Sequence, residues 1–91
     1  MRWWKAGIRV KLGKDILLKK VGEEAVILDL AAQRYYALDA VASEMVASLL
    51  ETETVNEALE KLEERYDAPR EVIETDLEEI RQELLGHGIF G

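Results

Sequence analysis

A chain of 91 residues, 48% of them hydrophobic, is long enough for one domain with a single small core. It contains no cysteine, which excludes disulfides, cysteine nucleophiles and cysteine-based metal sites and agrees with a cytoplasmic protein. No apolar run approaches the roughly 18–20 residues that span a bilayer, and the N-terminus lacks the continuous apolar segment of a signal peptide.

The net charge of −7 is unevenly distributed along the chain. Residues 1–20 carry seven basic residues and one acidic residue, whereas residues 21–91 carry five basic and eighteen acidic ones. This pattern is typical of a solvated acidic helical surface beside a basic strand region. The alternative interpretation is a surface that repels nucleic acid and favours a cationic partner.

The N-terminal segment, residues 1–15, is predicted to be a basic arm. Trp3 and Trp4 within it are large enough to need cover, either from the domain itself or from another chain. The alternation of apolar and charged residues over 7–12 predicts a possible extra strand in this arm.

Three strands are predicted after the arm. The segment 16–21 and the segment 24–30 are separated by Gly22-Glu23, a plausible hairpin turn, and a short link leads to "RYYAL" at 34–38. These links are too short for crossover connections, so we expect an antiparallel meander.

Three helices are predicted in the second half. Asp39 caps the first, a capping box of Thr54 and Glu57 begins the second, and Pro69 lies in the first turn of the third. The third helix ends near Gly86, and its apolar stripe is formed by Ile73, Leu77, Ile80 and Leu84. Strands followed by helices predict an α+β domain, winged helix-turn-helix-like, with a three- to four-stranded antiparallel sheet and then three helices.

Catalytic and metal-binding chemistry is poorly supported by the sequence. The serines, Ser43 and Ser48, lie inside a predicted helix, and the single histidine, His87, lies at a helix end between two glycines. The carboxylates of the third helix have the pattern of a solvated face rather than of a metal site. We therefore expect no enzyme activity, no metal and no cofactor.

DNA binding is the main competing function, because a winged helix often serves it. The third helix, residues 69–85, has two basic and six acidic residues, which is the wrong sign for contact with phosphates. We expect no nucleic-acid partner and no membrane partner.

Peptide or protein binding remains, and the segment 34–38 is its candidate. Only Arg34 in this segment is charged, so as an edge strand it would be a template for an incoming strand. Alternation places Tyr36 and Leu38 on one face, toward the helices, and Tyr35 and Ala37 on the other. Two alternatives remain open: both tyrosines are core residues of a covered sheet, or the edges of two copies pair with each other.

Three segments occur in an order that is typical of one family: "VILD" (26–29), "YYALD" (35–39) and "DLEEIRQELLGHGI" (76–89). Over about residues 16–90 the chain resembles the PqqD-like domain, also called the RiPP recognition element. It looks most like the free-standing leader-recognition protein of lasso-peptide pathways. Each motif is degenerate, and their order and spacing carry the resemblance, which assigns residues 16–91 to a PqqD-like peptide-recognition domain.

The resemblance implies a non-enzymatic protein that binds the leader of a ribosomally made precursor peptide as a strand beside residues 34–38, against the third helix. It would deliver the precursor to a leader peptidase of the transglutaminase-like cysteine type and to an asparagine-synthetase-like cyclase. The alternative within the family is a chaperone of the pyrroloquinoline quinone precursor peptide. The peptide-binding residues that the resemblance implies are Leu28, Leu30, Arg34, Tyr35, Tyr36, Ala37, Leu38, Val72, Ile73, Asp76, Leu77 and Ile80.

The sequence departs from the family pattern at four positions. Gln33 stands where many relatives have glycine, and Asp39 replaces a common asparagine while keeping the cap. Met45 stands where tryptophan is frequent, and Arg81 replaces a usual apolar residue. These departures predict a softer core and a more polar edge on the third helix.

Overall fold

Three antiparallel strands precede three helices in the computed structural model, which describes residues 11–90 and confirms the predicted α+β class. The elements are β1 (Ile16–Val21), β2 (Glu24–Asp29), β3 (Arg34–Leu38), α1 (Ala40–Glu51), α2 (Val55–Arg65) and α3 (Arg70–Gly86). Trp3, Trp4 and most of the predicted extra strand at 7–12 lie outside the described residues. None of the helices in the described range is long and apolar enough to cross a membrane.

The sheet has the order β1-β2-β3, so β2 is central and pairs antiparallel with both neighbours. Ala25 and Ile27 of β2 are buried toward the helices because alternate side chains of a strand share a face. The β1–β2 turn contains Gly22 at φ 66°, a left-handed conformation that glycine adopts without strain. The predicted hairpin is therefore confirmed.

The β2–β3 turn keeps its conformation although it carries no glycine. Gln33 has φ 57°, in the left-handed region that glycine would occupy at lower cost. Upstream, the Ala32 amide donates to the Asp29 carboxylate at 3.0 Å, a side-chain bond that helps to hold the turn. The departure from glycine at this position thus leaves β3 correctly placed beside β2.

The first two helices begin at their predicted caps. The Asp39 carboxylate accepts the Ala42 amide at 2.8 Å and begins α1. The Thr54 hydroxyl accepts the Glu57 amide at 3.1 Å and donates to the Glu57 carboxylate at 3.0 Å. Pro69 is the N-cap of α3 rather than a residue of its first turn, a shift of one position.

One core lies between the inner face of the sheet and the helices. Its fully buried side chains come from the central strand, from all three helices and from the C-terminal segment, and they include Ile27, Val46, Leu49, Leu59, Leu62, Leu77 and Ile89. Fully burying such side chains contributes about 1.5–3 kcal/mol each, which offsets the entropy of ordering a chain of this size. The core therefore fixes the inner face of the sheet, and no helix of the described residues packs on the outer face.

The C-terminal segment returns to the core after α3. Gly88 has φ 74°, and the Ile89 amide donates to the Leu84 carbonyl at 2.9 Å, which reverses the chain. Ile89 and Phe90 are buried. Leu12 forms an antiparallel bridge with Phe90, and this contact ties the segment before β1 to the end of the chain.

Candidate functional site

β3 is an edge strand within residues 11–90, because it pairs with β2 on one side only. Its sequence, "RYYAL", has a single charged residue, Arg34, at its first position. An exposed strand edge presents unpaired amides and carbonyls, and proteins usually protect such an edge with charge, bulges or a covering segment. The described part of the chain provides no such cover for β3, so this edge is free to pair with another strand.

The two tyrosines of β3 lie on opposite faces of the sheet, as alternation predicts. Tyr36 is half-buried and packs against the core, with Leu38 buried beside it. Tyr35 points to the outer face and is 72% exposed. Burial of both rings, the alternative left open by the sequence, is therefore wrong for Tyr35.

A groove separates β3 from α3. No Cα atom of β3 lies within 8 Å of a Cα atom of α3, although both elements, wholly within the described residues, contact α1. A cavity of about 260 Å³ adjoins this space between the start of α1 and α3, with Ala42, Met45 and Ile80 among its apolar lining. No residue of β3 lines this cavity, but Asp39, which directly follows β3, does. We call the space between the β3 edge and α3, together with the cavity at its α1 end, the groove.

The direction of α3 follows from two contacts. Residues 76–83 supply the α3 side of this cavity, next to Asp39, which directly follows β3. Farther along the chain, the His87 ring lies 5.1 Å from the Tyr36 ring, centroid to centroid, at an interplanar angle of 40°. The last turns of α3 and the residue after them therefore pass along β3 in the opposite direction.

Carboxylates surround the apolar part of the groove. Asp76, Glu79 and Glu83 line it from α3, and Asp39 lines it from the start of α1. Asp39 is held by the cap of α1. A groove with an apolar floor and an acidic rim suits a segment that carries both apolar and basic side chains.

The predicted residues of α3 divide by depth. Ile73 and Leu77 are buried in the core, where they hold the helix in place. Val72 and Asp76 are exposed, and Ile80 is half-buried at the groove. Only these last three offer surface to a ligand without a rearrangement of the core.

The predicted residues of the sheet also divide, in this case by face. Leu28, Tyr35 and Ala37 belong to the outer face, opposite the helices, whereas Tyr36 and Leu38 belong to the inner face. A second, shallow cavity of about 270 Å³ lies on the outer side and is lined by Leu28, Asp29, Leu30, Gln33, Arg34 and Tyr35. The twelve predicted residues therefore do not form one surface, and β3 is the element that joins their two groups.

His87 is a member of the site that the sequence did not identify. The sequence predicts a residue at the end of a helix, and its backbone amide does donate to the Glu83 carbonyl at 3.1 Å. Nothing in the local pattern places its ring against Tyr36, because the two residues are far apart in the chain. The contact joins the β3 side of the groove to the end of α3.

A larger cavity, of about 430 Å³, lies between the β1–β2 turn, the start of α1 and the end of α2. Three of its charged side chains have partners within the protein, since Arg65 pairs with Glu44 at 2.9 Å and the Lys20 ammonium donates to the Ser43 hydroxyl at 3.1 Å. Burial, reinforced by Glu44, raises the pKa of Tyr66 above its usual value. These internal pairs make this cavity a weaker candidate than the groove.

Comparison with known proteins gives one family and two similar structures. The family model described as coenzyme PQQ synthesis protein D (PqqD) matches residues 24–89. The structure of TbiB1 in complex with the TbiA(beta) leader peptide matches with a TM-score of 0.81 and 25% identity, over 88% of this chain and 93% of that chain. Lasso peptide synthetase B1, complexed with the leader peptide, matches with a TM-score of 0.82 and 22% identity, over 91% and 98% of the two chains. No curated protein matches this chain.

Proposed function

This chain belongs to the PqqD family, and on that premise we propose that it recognises the leader region of a ribosomally synthesised precursor peptide of the lasso type. The leader adds as a strand to the free edge of β3 and lies in the groove against α3. The observation that carries this proposal is the open edge of β3 beside a groove with an apolar floor. The two similar structures, both of complexes with a leader peptide, support it.

Backbone pairing alone gives little affinity for such a strand. Each hydrogen bond to the edge contributes about 0.5–1.5 kcal/mol net. Ordering a flexible peptide costs about 2–5 kcal/mol or more, so four or five such bonds roughly cancel that cost. Side-chain anchors must supply the rest. Tyr36 provides apolar surface on β3 itself, and Met45 and Ile80 provide it in the cavity between α1 and α3.

The chemistry of this protein is binding rather than catalysis. Ser43 and Ser48 are buried in α1, and the Ser43 hydroxyl accepts a hydrogen bond from Lys20. The His87 ring lies against the Tyr36 ring, tilted by 40°. We propose that the reactions on the precursor belong to other proteins: a leader peptidase of the transglutaminase-like cysteine type and an asparagine-synthetase-like cyclase, to which this chain delivers its cargo in the cytoplasm.

A second candidate function comes from the matched family model itself. Under it, the chain would hold the precursor peptide of pyrroloquinoline quinone for a modifying enzyme. The same edge and groove would serve, so the two functions differ in the peptide alone. Competition between the two peptides for the chain separates them, because only the cognate leader should bind in the low micromolar range or better.

DNA binding is disfavoured by the charge and pairing of α3. Arg70 pairs with Glu63 at 2.6 Å, and Arg81 lies 3.6 Å from Glu78. These two are the basic residues of a helix that also carries six carboxylates. A helix of this kind offers phosphates a repulsive surface.

Fluorescence anisotropy tests the proposal directly. The probe is the fluorescein-labelled N-terminal segment of the precursor encoded beside this chain, titrated with the purified protein. We expect saturable binding with one peptide per chain. No binding at tens of micromolar protein would contradict the proposal. Salt-dependent retardation of duplex DNA by the purified chain would favour DNA binding instead.

A further inference from the structure

The outer face of the sheet carries an apolar row that ends at the free edge. Leu17 of β1 pairs with Leu28 of β2, and Leu28 pairs with Tyr35 of β3, so the three side chains lie side by side across the sheet. Leu17 is 52% exposed, and Leu30, next to the row, is 55% exposed. We call Leu17, Leu28, Leu30 and Tyr35 the outer patch.

The outer patch has no cover within residues 11–90. The helices pack on the opposite face of the sheet, where Ile27 and Leu38 are buried. Exposed apolar patches of this kind usually mark an interaction site. The row of apolar side chains ends at the free edge of β3, so its partner is expected at that edge.

A strand added to β3 would continue the row with a side chain beside Tyr35. A strand that pairs with β3 must place every second side chain on the outer face, since successive side chains of a strand point to opposite faces. One of these side chains then becomes the cross-strand neighbour of Tyr35. The patch and the groove thus flank the same edge, one on each face.

We infer that the peptide is recognised on both faces of the sheet, which rests on the proposed function and sharpens it. Its inward side chains enter the groove between β3 and α3, and at least one outward side chain is apolar and packs on the outer patch against Tyr35. The shallow cavity between Leu28, Leu30 and Tyr35 receives that side chain. The protein therefore selects peptides with apolar residues at both odd and even positions of the added strand.

The alternative occupant is a second copy of the chain. Pairing of two β3 edges would also continue the row, with the outer patch of one copy beside that of the other. The peptide is the better occupant because the acidic rim of the groove, formed by Asp76, Glu79 and Glu83, would face its own like charges in an edge-to-edge dimer, whereas it suits a basic peptide.

The test compares two substitutions on the outer face. Tyr35→Ser removes the member of the row at the edge. Val21→Ser is the matched control: Val21 is an outer-face residue that is 58% exposed, but it pairs with Glu24, which has no partner on β3. We expect Tyr35→Ser to weaken binding of the labelled precursor segment about three- to tenfold and Val21→Ser to change it less than about twofold.

A serine scan of the labelled peptide provides the second arm. We expect serine to weaken binding at both odd and even positions of the added strand. At the position whose side chain packs against Tyr35, we expect serine to cost little further affinity when the protein already carries Tyr35→Ser. Suppose that the wild-type protein and Tyr35→Ser bind the peptide equally well, and that only alternate peptide positions are sensitive to serine. That result overturns this inference and leaves the proposed function intact. A dimer in sedimentation that Tyr35→Ser abolishes assigns the patch to a second copy and overturns it as well. No binding to the wild-type protein overturns both proposals.

Discussion

The two edges of the sheet differ in charge and in surroundings. β1 carries Lys19 and Lys20, and the Lys20 ammonium is tied to Ser43 of α1. β3 has one charged residue, Arg34, at its first position, and a groove lies beside it. Lysine on an edge strand is a common protection against unwanted pairing. Within residues 11–90, β3 is thus the edge strand that lacks lysine and has apolar surface for side-chain anchors nearby.

The largest predicted effect comes from a change in the central strand, which pairs with both edge strands. Ile27 of the central strand is fully buried between the sheet and the helices. We expect Ile27→Ala to lower the free energy of unfolding by about 2–5 kcal/mol, because it leaves a cavity under both edges. Urea denaturation followed by circular dichroism measures the effect. Val26→Ala on the outer face of the same strand is the control and should cost much less; equal losses would contradict the assignment of the two faces.

The second prediction separates the edges by binding. Tyr36 packs at the inner side of β3 and touches His87 across the groove. We expect Tyr36→Ala to weaken peptide binding by about 1–3 kcal/mol, because its ring supplies apolar surface on the inner side of the β3 edge. Lys19→Ala on β1 should leave the affinity unchanged. Anisotropy titrations of both folded variants provide the measurement, and unchanged affinity of both the Tyr36 and the Tyr35 variants would place the groove elsewhere.

The third prediction concerns a lysine placed on β3, which would give this edge strand the kind of charge that β1 carries. Ala37 is exposed on the outer face of β3, so a longer side chain fits there without disturbing the core. We expect Ala37→Lys to weaken addition of an apolar strand by about 0.2–1 kcal/mol, since it replaces an apolar cross-strand contact by a charge. Ala37→Val is the matched variant, because it raises the strand propensity at the same position. If the lysine variant binds more tightly than the valine variant in anisotropy, charge does not distinguish the two edges.

The smallest predicted effect concerns the ring contact at the end of α3. His87 is exposed, so its stacking on Tyr36 is weakened by water. We expect His87→Ala to lower the free energy of unfolding by about 0.5 kcal/mol, at the low end of the range for an aromatic pair. His87→Phe, which keeps a ring, should restore the stability in the same urea titration. A loss in the phenylalanine variant as large as in the alanine variant would show that the ring contact contributes nothing.

Much of the fold could be predicted because local signals agreed with each other. Alternation of apolar residues located the strands, and the caps at Asp39 and Thr54 located the starts of α1 and α2 within one residue. The shift at Pro69 is of the same small size, since proline suits both the cap and the first turn. These features depend on a few neighbouring residues, which the sequence displays directly.

The candidate site could be predicted only in part because it depends on distances between remote residues. The apolar stripe of α3 correctly identified the helix face, but periodicity does not separate Ile73 and Leu77, which are in the core, from Ile80, which is at the groove. Likewise, alternation correctly placed Tyr36 and Leu38 toward the helices, but it left open whether Tyr35 was covered on the other face. The contact of His87 with Tyr36 arises from the path of the chain after α3, for which no local pattern exists.

Met45 has a further consequence for the breadth of recognition. It is buried in α1, the element that contacts both β3 and α3, and it lines the cavity between α1 and α3 at the end of the groove. Methionine has three rotatable bonds and fills irregular space in several shapes. The floor of the groove can thus adjust to inward side chains of different size, where a rigid ring at the same position would accept fewer. We therefore expect this chain to tolerate variation among the leaders of related precursors, with discrimination left to the number of anchors rather than to the shape of one pocket.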